Sequence, residues 1–101
     1  MDDSVAEHSR PLRILIADDS DSDRLILKTL LKRLGHEVLD VANGLDAVSV
    51  FQREAPDLVL LDALMPVMDG MEAARQIKLL AGERLVPLIF LTSLSEAGAL
   101  A

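Results

Sequence analysis

The chain has 101 residues, 50% of them hydrophobic, but only two aromatics, Phe51 and Phe90. It therefore makes one domain whose core is built from Leu, Val, Ile and Ala. A formal net charge of -7 argues against a nucleic-acid surface, which needs clustered Lys and Arg, and suits a bound cation, although acidity also serves plain solubility. Without cysteine there is no disulfide, thiolate metal site or cysteine nucleophile, and no apolar run approaches the roughly 20 residues that span a bilayer.

Residues 1–10 are polar and acidic, without periodicity or signal-peptide character. They read as a disordered tail, with His8 solvated, leading into a domain over residues 11–101 in a cytoplasmic protein. Leu12 to Ala17 is a first strand, and Asp18-Asp19-Ser20-Asp21 ends it and starts a helix capped by Asp21, with Asp23 in the first turn. Ile26, Leu27, Leu30, Leu31 and Leu34 form one apolar stripe expected to face the core. Gly35 stops that helix, and His36 falls in a surface turn. Glu37 to Ala42 is a second, less buried strand. Asn43-Gly44 resembles a hairpin turn, but Leu45, Ala47, Val48 and Phe51 recur at helical spacing, so Asn43 caps a helix that Pro56 ends.

Leu58 to Leu61 is a third strand, apolar throughout and so buried on both faces, and it runs straight into Asp62. Asp69-Gly70 opens a third helix, with Met71, Ala74, Ile77 and Leu80 or Ala81 inward and Gly82 at its end. Pro87 to Leu91 reads as a fourth buried strand ending in Thr92-Ser93, and Ser95-Glu96-Ala97 begins a last helix. Strands alternating with helices imply an α/β fold, a parallel sheet covered on both faces.

In such a sheet all strands finish at one rim, so Asp18, Asp19, Asp62 and Thr92 converge there if strands one and three are neighbours. Two carboxylates about 4 Å apart repel by roughly 4 kcal/mol at an effective dielectric near 20. Half-protonation or a cation relieves this, and oxygen-only ligands suit Mg²⁺ or Mn²⁺. A carboxylate, a hard metal and a hydroxyl together make an acyl-phosphate site. Singly, several of these residues have plainer readings. Asp19 alone is a helix cap, Thr92 alone means little, Asp69 starts a helix, and Met65, Met68 and Met71 pack over the rim. Asp62 is harder to dismiss, because a carboxylate closing a buried strand is costly without a purpose. A calcium loop at Asp19-Ser20-Asp21-Ser22-Asp23 fails, since Arg24 stands where Gly is needed and Leu30 where a bidentate Glu is needed. No Gly-rich phosphate loop is present, and the acidic first loop disfavours a flavin phosphate.

With these residues in place, the chain resembles the receiver domain of bacterial two-component response regulators. The resemblance rests on Asp18-Asp19 after strand one, on the loop from Asp62 through Met65-Pro66-Val67-Met68-Asp69-Gly70, and on Leu91-Thr92-Ser93, and it covers residues 12–101. It implies a flavodoxin-like three-layer sandwich of the chemotaxis-receiver type with sheet order 2-1-3-4. It also implies that Asp62 is the phosphoacceptor for a histidine kinase or histidine phosphotransfer protein. Asp19, Asp62 and the backbone carbonyl of Leu64 are then ligands of Mg²⁺ or Mn²⁺, with Asp18 helping through water, and Thr92 contacts the phosphoryl group and shifts with it. Leu64 and Leu94, apolar where polar side chains orient attacking water, imply a long-lived aspartyl phosphate.

The family pattern continues into a fifth strand with a lysine, then a proline, an aromatic switch residue and a fifth helix, whereas the last lysine here is Lys78 in helix three. The chain is therefore read as a truncated receiver with an output domain C-terminal to it. An apolar edge at strand four, Leu88 to Leu91, is expected to invite self-association. It is read as no enzyme beyond promoting its own phosphorylation and dephosphorylation. A non-phosphorylated interaction module and a metal-dependent phosphohydrolase are the rival functions; the acidic triad opposes the first, and the lack of a second acid/base and of a cap domain opposes the second.

Overall fold

Alternation along the strands decides where the helices sit. The computed structural model describes residues 10–91. Its elements run β1 (Arg13–Ala17), α1 (Asp21–Arg33), β2 (Glu37–Val41), α2 (Gly44–Glu54), β3 (Leu58–Asp62), α3 (Gly70–Ala81) and β4 (Leu88–Leu91). All strand pairings are parallel, and the order is β2-β1-β3-β4 as expected. Successive side chains point to opposite faces of a strand. Leu15, Ala17, Val59 and Leu61 therefore meet Ala47 and Phe51 of α2 and Ala73, Ala74 and Ile77 of α3. Ile14, Ile16 and Leu60 face the other way, against Leu27 and Leu31 of α1. β1 and β3, central and covered on both sides, need the unbroken apolar runs that the sequence supplies.

Asn43 and Asp69 cap α2 and α3, accepting the Asp46 and Glu72 N–H groups at 2.8 and 2.9 Å. Several expectations need correction. Ser20, not Asp21, caps α1: its hydroxyl accepts the Asp23 N–H, and Asp21 is the first helical residue. The α1 stripe is narrower than its periodicity suggests. Leu27 and Leu31 pack inward, while Ile26, Leu30 and Leu34 stay exposed, because among the described residues α1 rests mainly on β1 and the half-buried β2. Leu45 and Met71 are likewise exposed, with Ala73 buried in α3 instead, and of the pair Leu80 or Ala81 it is Ala81 that packs inward. β4 is not a buried strand: Ile89 is 51% and Phe90 43% exposed, since among the described residues it pairs only with β3. His36 is more than a surface residue, because its Nδ1 accepts the Leu12 N–H at 3.1 Å. Met65 and Met68 do pack over the α2–α3 face. The tail before Arg10, including His8, and Thr92, Ser93, Leu94 and the helix expected at Ser95 lie outside the described residues.

The amino-terminal rim of the sheet is tied by Arg13. Its guanidinium donates to the Glu54 carbonyl and carboxylate at 2.8 and 2.7 Å and lies 3.3 Å from Glu37. Its backbone N–H donates to the Asp57 carboxylate and its carbonyl accepts the Asp57 N–H, each at 2.8 Å. One residue thus links β1 to β2, to the end of α2 and to the start of β3.

Candidate functional site

At the opposite rim the strands deliver their carboxylates. Asp18 directly follows β1 and is held by its N–H donating to the Val41 carbonyl of β2 at 3.1 Å, while Asp62 is the last residue of β3. Carboxylate oxygens of Asp18, Asp19 and Asp62 lie within 4.8 Å of one another. Asp18 and Asp62 are 3% and 4% exposed, whereas Asp19 is open to solvent. Two backbone donors orient the buried pair: the Ser20 N–H reaches Asp18 at 2.9 Å, and the Leu64 N–H reaches Asp62 at 3.3 Å.

Burial first, and then the neighbouring carboxylates, pushes the Asp62 carboxyl up to about 6, against the pull of the Leu64 N–H. Burial also raises Asp18, with the Ser20 N–H opposing it. Among the described residues, no ion pair involves Asp18, Asp19 or Asp62. The rim therefore concentrates negative charge with no cation paired to its carboxylates among the described residues. An all-oxygen donor set of this kind fits a hard divalent ion such as Mg²⁺.

The loop from Ala63 to Asp69 is folded by close backbone approaches. A Cβ on Gly70 would lie 2.2 Å from the Asp62 carbonyl oxygen, and one on Gly44 would lie 2.2 Å from the Met68 carbonyl oxygen. Both glycines instead use their N–H groups, Gly70 to the Ala63 carbonyl at 2.9 Å and Gly44 to the Met68 carbonyl at 3.0 Å. Between them the Met68 N–H reaches back to the Pro66 carbonyl at 2.7 Å around Val67, whose φ is 71°. That is a γ-turn with a β-branched centre, a strained form found where a loop is held by its surroundings. Leu64 sits beside Asp62 with its side chain exposed, and no backbone N–H among the described residues donates to its carbonyl.

Arg24 escaped the sequence reading, because nothing in helical or strand periodicity links it to a distant carbonyl. Its Nη1 donates to the Asp18 carbonyl at 2.7 Å, its Nε to Asp40 at 3.0 Å and its Nη2 to Asp21 at 2.8 Å. Lys28, one turn further along α1, holds the other Asp40 oxygen at 3.0 Å. In the sequence, only the acids that precede it in the first turn, Asp21 and Asp23, hint at this.

A doubly wound parallel sheet with a buried aspartate closing its third strand, beside an acidic pair closing its first, defines a flavodoxin-like domain of the chemotaxis-receiver type. Residues 14–100 match the model of the response regulator receiver domain, and the chain belongs to that family, the receivers of two-component signalling. Among curated relatives it is 43% identical over 84 residues to the "Probable transcriptional regulator ycf27" of Porphyridium aerugineum, covering 83% of this chain and 34% of that protein. It is 41% identical over 81 residues to "Protein PilH" of Pseudomonas aeruginosa, covering 80% of this chain and 67% of PilH. The chain thus spans about a third of the length of the ycf27 relatives it matches. Among solved structures, the receiver domain of sensor histidine kinase PA1611 from Pseudomonas aeruginosa, which carries a magnesium ion in its active-site cleft, superposes with a TM-score of 0.77 at 34% identity. That match covers 88% of this chain and 73% of the other. The chemotaxis protein CheY4 of Vibrio cholerae gives a TM-score of 0.75 at 27% identity, over 88% of this chain and 77% of that one.

Proposed function

We propose that this receiver accepts a phosphoryl group on Asp62 from a histidine kinase or histidine phosphotransfer protein and thereby switches an output domain C-terminal to it. The observation that carries the reading is the buried Asp62 carboxylate, gathered within 4.8 Å of Asp18 and Asp19 at the mouth of the sheet. An Asp62 oxygen attacks phosphorus, and the O–P bond forms as the P–N bond to the donor imidazole breaks. The imidazole nitrogen keeps the electron pair and takes a proton from water. Asp19, Asp62 and the Leu64 carbonyl would hold Mg²⁺ or Mn²⁺, with Asp18 acting through water, and the ion supplies positive charge to the phosphoryl oxygens.

Ionised Asp62 is the nucleophilic form, so a cation that favours ionisation also readies the acceptor. The Leu64 N–H keeps one Asp62 oxygen oriented, and the exposed Leu64 side chain shields the product from water. Thr92 and Leu94 take the phosphoryl-contact and lifetime-setting roles that the resemblance implies. The chain promotes only its own phosphorylation and dephosphorylation. Among the described residues no helix is long and apolar enough to cross a membrane, and the setting we propose is the cytoplasm.

The test is incubation with acetyl phosphate and Mg²⁺ followed by intact-mass analysis. A phosphoryl adduct is expected on the wild-type chain, absent in Asp62→Ala and in EDTA, and faster to decay in Leu64→Asn. Repeating the assay on a chain extended past Ala101 separates a missing cationic side chain from an incompetent nucleophile. If neither length takes up a phosphoryl group or beryllofluoride, the reading is wrong and a non-phosphorylated interaction domain takes its place.

A further inference from the structure

We infer that Arg24 is a positioning residue for the acidic rim: its guanidinium fixes the backbone at Asp18, and through it the spacing of Asp18 and Asp19 from Asp62. This rests on the reading of that rim as a hard-cation site. Asp18 stands one residue beyond β1, where the sheet ladder no longer holds both of its backbone groups. Its N–H still finds β2 through the Val41 carbonyl, but its carbonyl turns to Arg24 Nη1 at 2.7 Å. Arg24 is in turn anchored on β2 by Asp40 at 3.0 Å and on the first turn of α1 by Asp21 at 2.8 Å. Asp40 cannot swing away, because Lys28 holds its second oxygen at 3.0 Å. The end of β1, the end of β2 and the start of α1 therefore meet on one planar group.

Two further observations separate positioning from simple charge balance. The Arg24 side chain is 17% exposed, less than any other cation in the described ion pairs. Yet it forms no ion pair with Asp18, Asp19 or Asp62, since it reaches Asp18 only through the carbonyl. Arg24 thus leaves the carboxylate oxygens unoccupied by a cation while it holds the chain that carries them from behind. Charge alone opposes this arrangement, because a guanidinium nearby repels the cation that the rim would bind. A lysine in the same place keeps the charge but lacks the rigid fork that joins a carbonyl to a carboxylate.

The two explanations predict opposite results. Isothermal titration with MgCl₂ and thermal melting in EDTA are carried out on the wild-type chain, Arg24→Lys and Arg24→Met. Positioning predicts that both variants bind Mg²⁺ about tenfold more weakly, as residues orienting metal ligands commonly do. Arg24→Lys within twofold of wild type overturns the inference, as does tighter binding by Arg24→Met, which marks a purely electrostatic role. A lowered melting temperature with an unchanged Mg²⁺ dissociation constant also overturns it, leaving Arg24 structural only. If the Arg24 variants do not fold, Asp40→Asn, which keeps the arginine but loosens its anchor, is held to the same criterion. A wild-type chain that takes up no Mg²⁺ refutes the cation site itself, an outcome distinct from unequal binding among the variants.

Discussion

At Asp62 a carboxylate 4% exposed sits beside two others, and the folded protein holds its proton more tightly than an unfolded chain does. With the carboxyl pushed up to about 6 by burial and then by Asp18 and Asp19, against an unfolded value near 4, the sign is fixed. The stabilisation from this proton is complete below about pH 4 and is lost as pH rises through about 6. Asp18, raised by burial, shifts in the same direction. In EDTA, the Asp62 contribution to wild-type stability is expected to fall between pH 4 and pH 7, so that Asp62→Asn gains on the wild type over that interval by on the order of 2 kcal/mol. A stability difference between the two proteins that is the same at pH 4 and pH 7 would contradict the picture. Asp62 was legible in the sequence because an acid ending a run of four apolar residues breaks the pattern of a buried strand. Arg24 was not, since its partners Asp18 and Asp40 are brought together only by the pairing of β1 with β2.

The elements themselves were mostly readable. Short apolar runs and helical spacing, Asn43 and Asp69 as caps and Pro56 as a stop located every strand and helix between Arg13 and Leu91 to within a residue or so. What periodicity does not carry is how much of an apolar stripe its neighbours cover. Leu30 and Met71 are on pattern and yet exposed. Nor does it choose between adjacent cap candidates: Ser20 takes the role at α1, and Asp21 becomes a partner of Arg24. Gly70 shows the contest between propensity and packing most sharply. By propensity, alanine at a helical glycine gains up to about 1 kcal/mol. Here the added Cβ would lie 2.2 Å from the Asp62 carbonyl oxygen, so β3 and α3 must separate. Gly70→Ala is expected to lower stability by about 1–3 kcal/mol in urea titration and to reduce phosphorylation of Asp62. A stabilised variant would show that the junction yields easily.

At the scale of the whole molecule, coverage is uneven. The core strands β1 and β3 are sealed from both sides, but β4, an edge strand among the described residues, presents Ile89 and Phe90 to solvent on opposite faces. Exposed apolar edge strands template association between chains, and lysine at such an edge discourages it. We expect sedimentation velocity to show concentration-dependent self-association of the 101-residue chain, abolished in an Ile89→Lys/Phe90→Lys double variant. A wild-type monomer at every concentration would rule this out.

The Arg13 junction gives the molecule a lengthwise division of labour. It gathers Glu37, Glu54 and Asp57 at the amino-terminal ends of the strands, one strand length from the acidic mouth, or about 15 Å for five residues. Sequence change at that end can retune how firmly the domain holds together without touching the carboxylates. The acidic end can remain mutually repelling because it is not what keeps the sheet closed. Substitutions at the Arg13 end thus offer a way to adjust stability at a distance from the carboxylates. At the acidic end any change made for signalling, as at Asp62 or Gly70, carries a stability cost or gain with it.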